Sequence, residues 1–187
     1  MRSLRLISMR LLIGLSGSAL ATFSFSQPIL GIENPASIPQ LLHQPQPELQ
    51  QAVITLERTA CFGFCPIYKL IVYGNGQVVY EGKQFVKVTG TRTTTISQAA
   101  VRNLLLEFEC INYFDLKDQY AGGPTDAPFA ITSLTFGKRQ KSVNHYLASP
   151  VAPKQLIELE NKIDRIVNSQ QWIGTERERT PNPPTRP

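Results

Sequence analysis

The sequence predicts an α+β domain: an antiparallel sheet of about five to six strands with two helices on one face, in the order β-β-β-β-α-β-β-α. Three observations predict it. Short β-branched and aromatic runs recur from Val53 onward, one pair of them joined by Gly74-Asn75-Gly76. Two longer segments carry apolar residues at helical spacing. The strands come in runs and do not alternate with helices, which argues against a parallel doubly wound sheet.

In chain order, 53–59 alternates apolar and polar residues, as a half-buried strand does. The run 67–73 meets 77–81 across Gly74-Asn75-Gly76, and an Asn-Gly pair between such runs predicts a hairpin with a type I′ turn. Residues 85–88 and 91–96 extend the sheet, with Gly90 at the bend. Ser97 is placed to cap a helix whose buried face is Val101, Leu104, Leu105, Phe108 and Ile111. The segment 117–128 reads as a loop. A second hairpin, 130–136 with 140–146, turns at Gly137 and Lys138. Pro153 opens the last helix, with Leu156, Leu159, Ile163, Ile166 and Val167 as its stripe and Gly174 as its stop.

The domain is expected over 52–174. Residues 1–21 read as a signal peptide: Arg2, Arg5 and Arg10 precede an apolar run from Leu11 to Ala21, and Ala19 with Ala21 forms an A-x-A cleavage site. A second site lies after Ser26, and an uncleaved anchor is the alternative. The run is short for a membrane span, so none is expected after cleavage. Residues 22–51 read as a Pro/Gln-rich linker and 175–187 as a disordered Pro-rich tail. The product is therefore expected to be exported, to the periplasm or beyond, and to meet a partner there.

The net charge of +5 does not point to nucleic acid. Removing the three leader arginines leaves 16 basic residues against 14 acidic ones, with no clustered basic face. No cofactor motif stands out, and no acid, base and nucleophile assemble into a known catalytic pattern. A non-catalytic binding or interaction module is the leading functional expectation.

Cys61-Phe62-Gly63-Phe64-Cys65-Pro66 is the segment with the most chemistry. It joins two strands, and a cross-strand pair of cysteines meets the spacing a disulfide needs. In an oxidising compartment a structural disulfide is expected. Two alternatives stand beside it. One is a redox couple, although the usual redox pair has two intervening residues and begins a helix. The other is a soft-metal site such as Cu(I), with Cys61, Cys65 and His145 as ligands. The spacing is similar to that of the copper chaperones of cytochrome oxidase assembly, but those carry it at a strand-to-helix junction of a thioredoxin fold.

Cys110 reads as a small buried residue near a helix end, with a free thiol or an intermolecular bridge as the alternative. Asp126, in the longest internal loop, is a candidate ligand-binding residue or a turn former, and Tyr68 is a second candidate ligand-binding residue. The aromatics Phe62, Phe64, Tyr68, Tyr73 and Tyr80 fit sheet packing, and make a binding patch only where several are exposed.

The segment ITLERTACFGFCPIYKLIVYGNGQVVYEG, Ile54 to Gly82, resembles the hallmark of an uncharacterised bacterial domain-of-unknown-function family with an exported Thr-Ala-Cys-Phe-Gly-x-Cys-Pro-x-Tyr loop. The resemblance runs on through Gly90, Phe108, Phe114, Tyr120 and Thr125-Asp126. It implies no activity or ligand. It draws attention to Cys61, Gly63, Cys65, Pro66, Tyr68 and Asp126.

Overall fold

The computed structural model describes residues 49–123 and 126–179. The leader, nearly all of the linker and the Pro-rich end lie outside the described residues. The strands are β1 (Val53–Arg58), β2 (Ile67–Tyr73), β3 (Gln77–Gln84) and β4 (Gly90–Thr95). Helix α1 (Gln98–Cys110) and a 3₁₀ turn (Tyr113–Asp115) follow. Then come β5 (Gln119–Tyr120), β6 (Phe129–Phe136), β7 (Arg139–Tyr146), α2 (Lys154–Val167), α3 (Gln170–Ile173) and α4 (Glu176–Arg179).

The sheet has seven strands, in the order β4-β3-β2-β1-β6-β7-β5. All pairs are antiparallel except β5 with β7. The α+β class holds, and the count is corrected. The extra strand is β5, inside the segment read as a loop. Two residues are too few for a periodic signal, and their pairing with Asn144 and His145 is a tertiary event.

Side chains alternate between two faces of a strand. Ile54, Leu56, Leu70, Val72, Val78, Tyr80, Ala130, Leu134 and Val143 are all buried on one face. They form a single core with Val101, Leu104, Leu105 and Phe108 of α1 and Leu156, Leu159, Ile163 and Val167 of α2. Ser97 caps α1: its hydroxyl accepts the Ala100 amide at 3.1 Å. Pro153 precedes α2 as its cap residue.

Three local expectations are corrected. The β2–β3 turn is closed by the Gly76 amide on the Tyr73 carbonyl at 2.9 Å. Only Gly76, at φ 91°, has positive φ there, so the connection is not type I′ but a turn followed by a glycine. Residues 85–88 are not a strand. Phe85 sits at φ 52°, and the Lys87 and Val88 amides donate to the Ile173 and Trp172 carbonyls, both at 2.9 Å. The last long helix stops at Asn168, in the left-handed conformation at φ 55°, six residues before Gly174. Asparagine tolerates that region. Gly174 instead ends α3, at φ 76°.

The chain ahead of β1 joins the core, with Leu49 and Ala52 buried. The Gly74 amide donates to the Ala52 carbonyl at 2.8 Å. A Cβ at Gly74 would lie 1.7 Å from the Leu49 carbonyl oxygen, a backbone atom with no room to yield. Gly74→Ala is therefore expected to destabilise the fold by about 2 kcal/mol or more. Urea unfolding checks this, and an unchanged midpoint would refute the close approach.

Candidate functional site

Loop 59–66 closes the β1–β2 pair, in which Arg58 lies opposite Tyr68. Cys61 and Cys65 are joined by a disulfide, with their Cα atoms 5.7 Å apart. The loop is anchored from both sides. The Thr59 amide donates to the Phe129 carbonyl at 3.0 Å, and the Phe129 amide to the Thr59 hydroxyl at 2.8 Å. The Phe62 amide donates to the Asp126 carbonyl at 3.1 Å. These bonds hold the backbone of the tip while its rings project outward. Phe62 is 90% exposed and Phe64 63% exposed. Phe64 meets Phe85 edge to face, centroids 5.3 Å apart. The expectation that Phe62 and Phe64 pack on the sheet is corrected. Tyr68 and Tyr80 are the buried ones.

A cleft of about 520 Å³ opens beside this loop. One wall is Cys65 and Pro66. Pro128 and Leu147 stand where β6 begins and β7 ends, at the same end of the sheet. The opposite wall is Asn161, Arg165 and Asn168 of α2 and its end, with spacings of one and two turns. Gln170 and Ile173 of α3, then Arg179 of α4, complete the rim.

The floor is polar and already paired. The register places Tyr68, Arg58, Ala130 and His145 side by side across β2, β1, β6 and β7. Facing them, Glu160 and Asp164 sit one turn apart on α2. Both Glu160 oxygens face His145 Nδ1, at 2.9 and 3.1 Å, so Nδ1 carries the proton and donates. Arg58 Nη1 lies 3.6 Å from Glu160, and its Nη2 donates to Asp164 at 3.1 Å. The Tyr68 and Ser169 hydroxyls both donate to Asp164, each at 2.7 Å. Burial would lower the Arg58 pKa, but Asp164, Tyr68 and Glu160 outweigh it and the net shift is upward. Burial, and then the Asp164 charge, push the Tyr68 phenol far above its ordinary value. Tyr68 thus stays neutral as a fixed donor.

Segment 174–179 is held in place by its own contacts. Glu178 reaches back to Thr175: its carboxylate accepts the Thr175 amide at 2.8 Å and the Thr175 hydroxyl at 3.0 Å. Lys87 Nζ donates to the same carboxylate at 2.6 Å. That bond, with the Thr175 bonds, holds Glu178 at a pKa of about 2, down from 4.5. A depressed carboxylate stabilises the fold above its ordinary pKa, and this contribution fades as pH falls through about 2. Carbon-detected NMR is expected to find the Glu178 midpoint near 2, and Lys87→Ala to move it toward the ordinary value. An ordinary midpoint in the unmodified protein would show the clasp does not form.

The expected site residues separate into groups. Cys65 and Tyr68 line the cleft; Cys61 and Asp126 do not. Asp126 is exposed and supports the loop through its carbonyl. His145 is buried, with Nδ1 on Glu160, and is not among the cleft residues. The two sulfurs are bonded to each other, so in this form they are not the thiolates a soft metal needs. Among the described residues no three His, Cys, Asp or Glu side chains converge on a metal position. Cys110 is exposed, correcting the expectation of burial: it ends α1 on the side away from the Val101–Phe108 stripe.

Sequence reasoning missed Arg58, Glu160, Asp164, Arg165 and Arg179. One signal was there. Glu160 falls between Leu156 and Ile163 in the apolar stripe of α2, where a carboxylate must have a partner. Removing Arg58 leaves Glu160, 1% exposed, without its cationic partner. Arg58→Ala is expected to cost about 3 kcal/mol or more, and Glu160→Gln less, by denaturant unfolding. Equal, small losses would mean that the pair is not buried as described.

Among the described residues no helix is long and apolar enough to cross a membrane. Residues 52–167 match the model of a domain of unknown function, DUF6438, and the chain belongs to that family. No curated protein matches it.

Proposed function

We propose that this member of the family is an exported, non-catalytic binding module, and that its contact surface is the disulfide-closed loop together with the cleft beside it. One observation carries the reading: Phe62 and Phe64 are 90% and 63% exposed on a loop whose backbone is pinned by the disulfide and by bonds to Phe129 and Asp126. Exposing two large rings on a fixed scaffold costs solvation, and the one ring contact of Phe64 with Phe85 leaves most of both surfaces in water. Aromatic anchors on rigid loops are what interfaces use, because little side-chain entropy is lost on contact. The polar floor is internally satisfied, with the Asp164 carboxylate shared by Arg58, Tyr68 and Ser169. That arrangement shapes the cleft without leaving those groups for proton transfer. Export is supported by the leader pattern and by the disulfide, which oxidising compartments preserve.

The test uses the full exported chain with a photo-crosslinking phenylalanine analogue at position 62 or 64. A discrete adduct from those sites, absent when the analogue stands at exposed Lys138, is expected. No adduct, or equal adducts from all three sites, would overturn the interface. Alkylation of the same material distinguishes the rival thiol chemistry. Cys61 and Cys65 are expected to stay protected under mild reduction, whereas rapid opening would assign the pair to redox or copper handling.

A further inference from the structure

We infer that the cleft takes an amphipathic ligand by an oxyanion group, a carboxylate or a phosphoryl group, gripped by Arg165 and Arg179. The inference rests on the binding reading above and names the chemistry of its ligand.

The cleft is lined by three guanidiniums, Arg58, Arg165 and Arg179, and by one carboxylate, Asp164. Arg58 is shared between Asp164, at 3.1 Å, and buried Glu160, at 3.6 Å, so Arg165 and Arg179 are the lining cations left without a carboxylate. Arg165 and Arg179 make no side-chain hydrogen bond or ion pair among the described residues. Arg179 is only partly exposed, and its Nε is buried with no partner among those residues. A buried, unpaired guanidinium N–H costs free energy that an incoming acceptor recovers.

Donors and acceptors tell the same way. The Asp164 carboxylate is occupied by three donors, Arg58, Tyr68 and Ser169. The Asn161 side-chain oxygen faces Arg58 at 3.4 Å. Gln170 spends its amide N–H on the Gly174 carbonyl at 2.8 Å. What remains on the α2–α4 side is a surplus of cationic donors, which a cationic or donor-rich ligand would not satisfy. Planar guanidinium forks match carboxylate and phosphoryl oxygens, and such charge-assisted bonds are stronger than neutral ones.

The other side of the cleft is apolar. Pro66, Pro128 and Leu147 line it, and Leu147 is 37% exposed despite its apolar side chain. A volume of about 520 Å³ lies in the range of small-ligand pockets. A ligand with an anionic head and an apolar body fits both walls at once. The backbone that carries Arg179 is held by the Glu178–Thr175 bonds and by Lys87.

The experiment titrates the mature, oxidised protein with three probes: inorganic phosphate, N-acetylphenylalanine, and the neutral N-acetylphenylalanine amide. Side-chain Nε–H signals of Arg165 and Arg179 are followed by NMR. Either anion is expected to shift both signals saturably, and the amide at least tenfold more weakly. Arg165→Gln and Arg179→Gln are each expected to weaken anion binding about tenfold while leaving the unfolding midpoint close to that of the parent. Binding of the acid alone names a carboxylate source, and binding of phosphate alone a phosphoryl source. No shift with either anion overturns the inference, as does an amide that binds as well as the acid. An adduct from position 62 or 64 that persists in that case would leave the binding module standing and remove only its anion.

Discussion

A carboxylate 1% exposed to solvent, Glu160, ties α2 to two strands of the sheet. Glu160 occupies a position in α2 that its neighbours Leu156 and Ile163 make apolar. Burying a charge in such a stripe is unfavourable by several kcal/mol after relaxation unless partners compensate. The compensation comes from two strands separated in the chain by over eighty residues. Arg58 of β1 and His145 of β7 reach Glu160 because β6 lies between them and the register puts Arg58 opposite Ala130, and Ala130 opposite His145. A slip of one residue in either ladder would turn one of those side chains to the other face. The buried carboxylate thus ties helix position to strand register.

The same constraint shapes the cleft. Arg58 touches both Glu160 and Asp164, so the helix must present both carboxylates, one turn apart, to a single guanidinium. This brings the end of α2 close to the β1–β2 loop. Asn168 in the left-handed region then lets the chain reverse into α3, whose last carbonyls receive the Lys87 and Val88 amides. Tyr80 stacks on Trp172 at 4.9 Å and completes the seam between the β3 side of the sheet and the C-terminal segment. The cleft is what remains between a helix end fixed by charge and a loop fixed by a disulfide.

Legibility in the sequence followed the range of the interactions. Both hairpins, the Ser97 cap and the two amphipathic stripes depend on residues a few positions apart, and they were readable. Residues 85–88 carry valines and a phenylalanine, yet the Lys87 and Val88 amides found partners on α3, more than eighty residues further on, and local propensity could not show that. The cysteine loop announced itself through its residue types. Its neighbours in the cleft did not, because Arg58, Asp164, Arg165 and Arg179 are ordinary charged residues until register and helix position bring them together. Phe62 and Phe64 were legible as aromatics but not as exposed ones, since exposure follows from where the anchored backbone aims the tip.

The disulfide contributes little to global stability by loop closure, for a loop this short constrains few unfolded conformations. Its larger consequence is local. With Cys61 and Cys65 joined, the Phe62 and Phe64 backbones are fixed between Thr59 and Pro66, and the wall formed by Cys65 and Pro66 is fixed with them. Rigidity of this kind lowers the entropy lost on binding, so the same contacts yield tighter association than a mobile loop would give. A short covalent ring is therefore better suited to presenting a surface than to holding a fold together. The fold has its own means of cohesion in the shared core and in the Glu160–Arg58–His145 cluster.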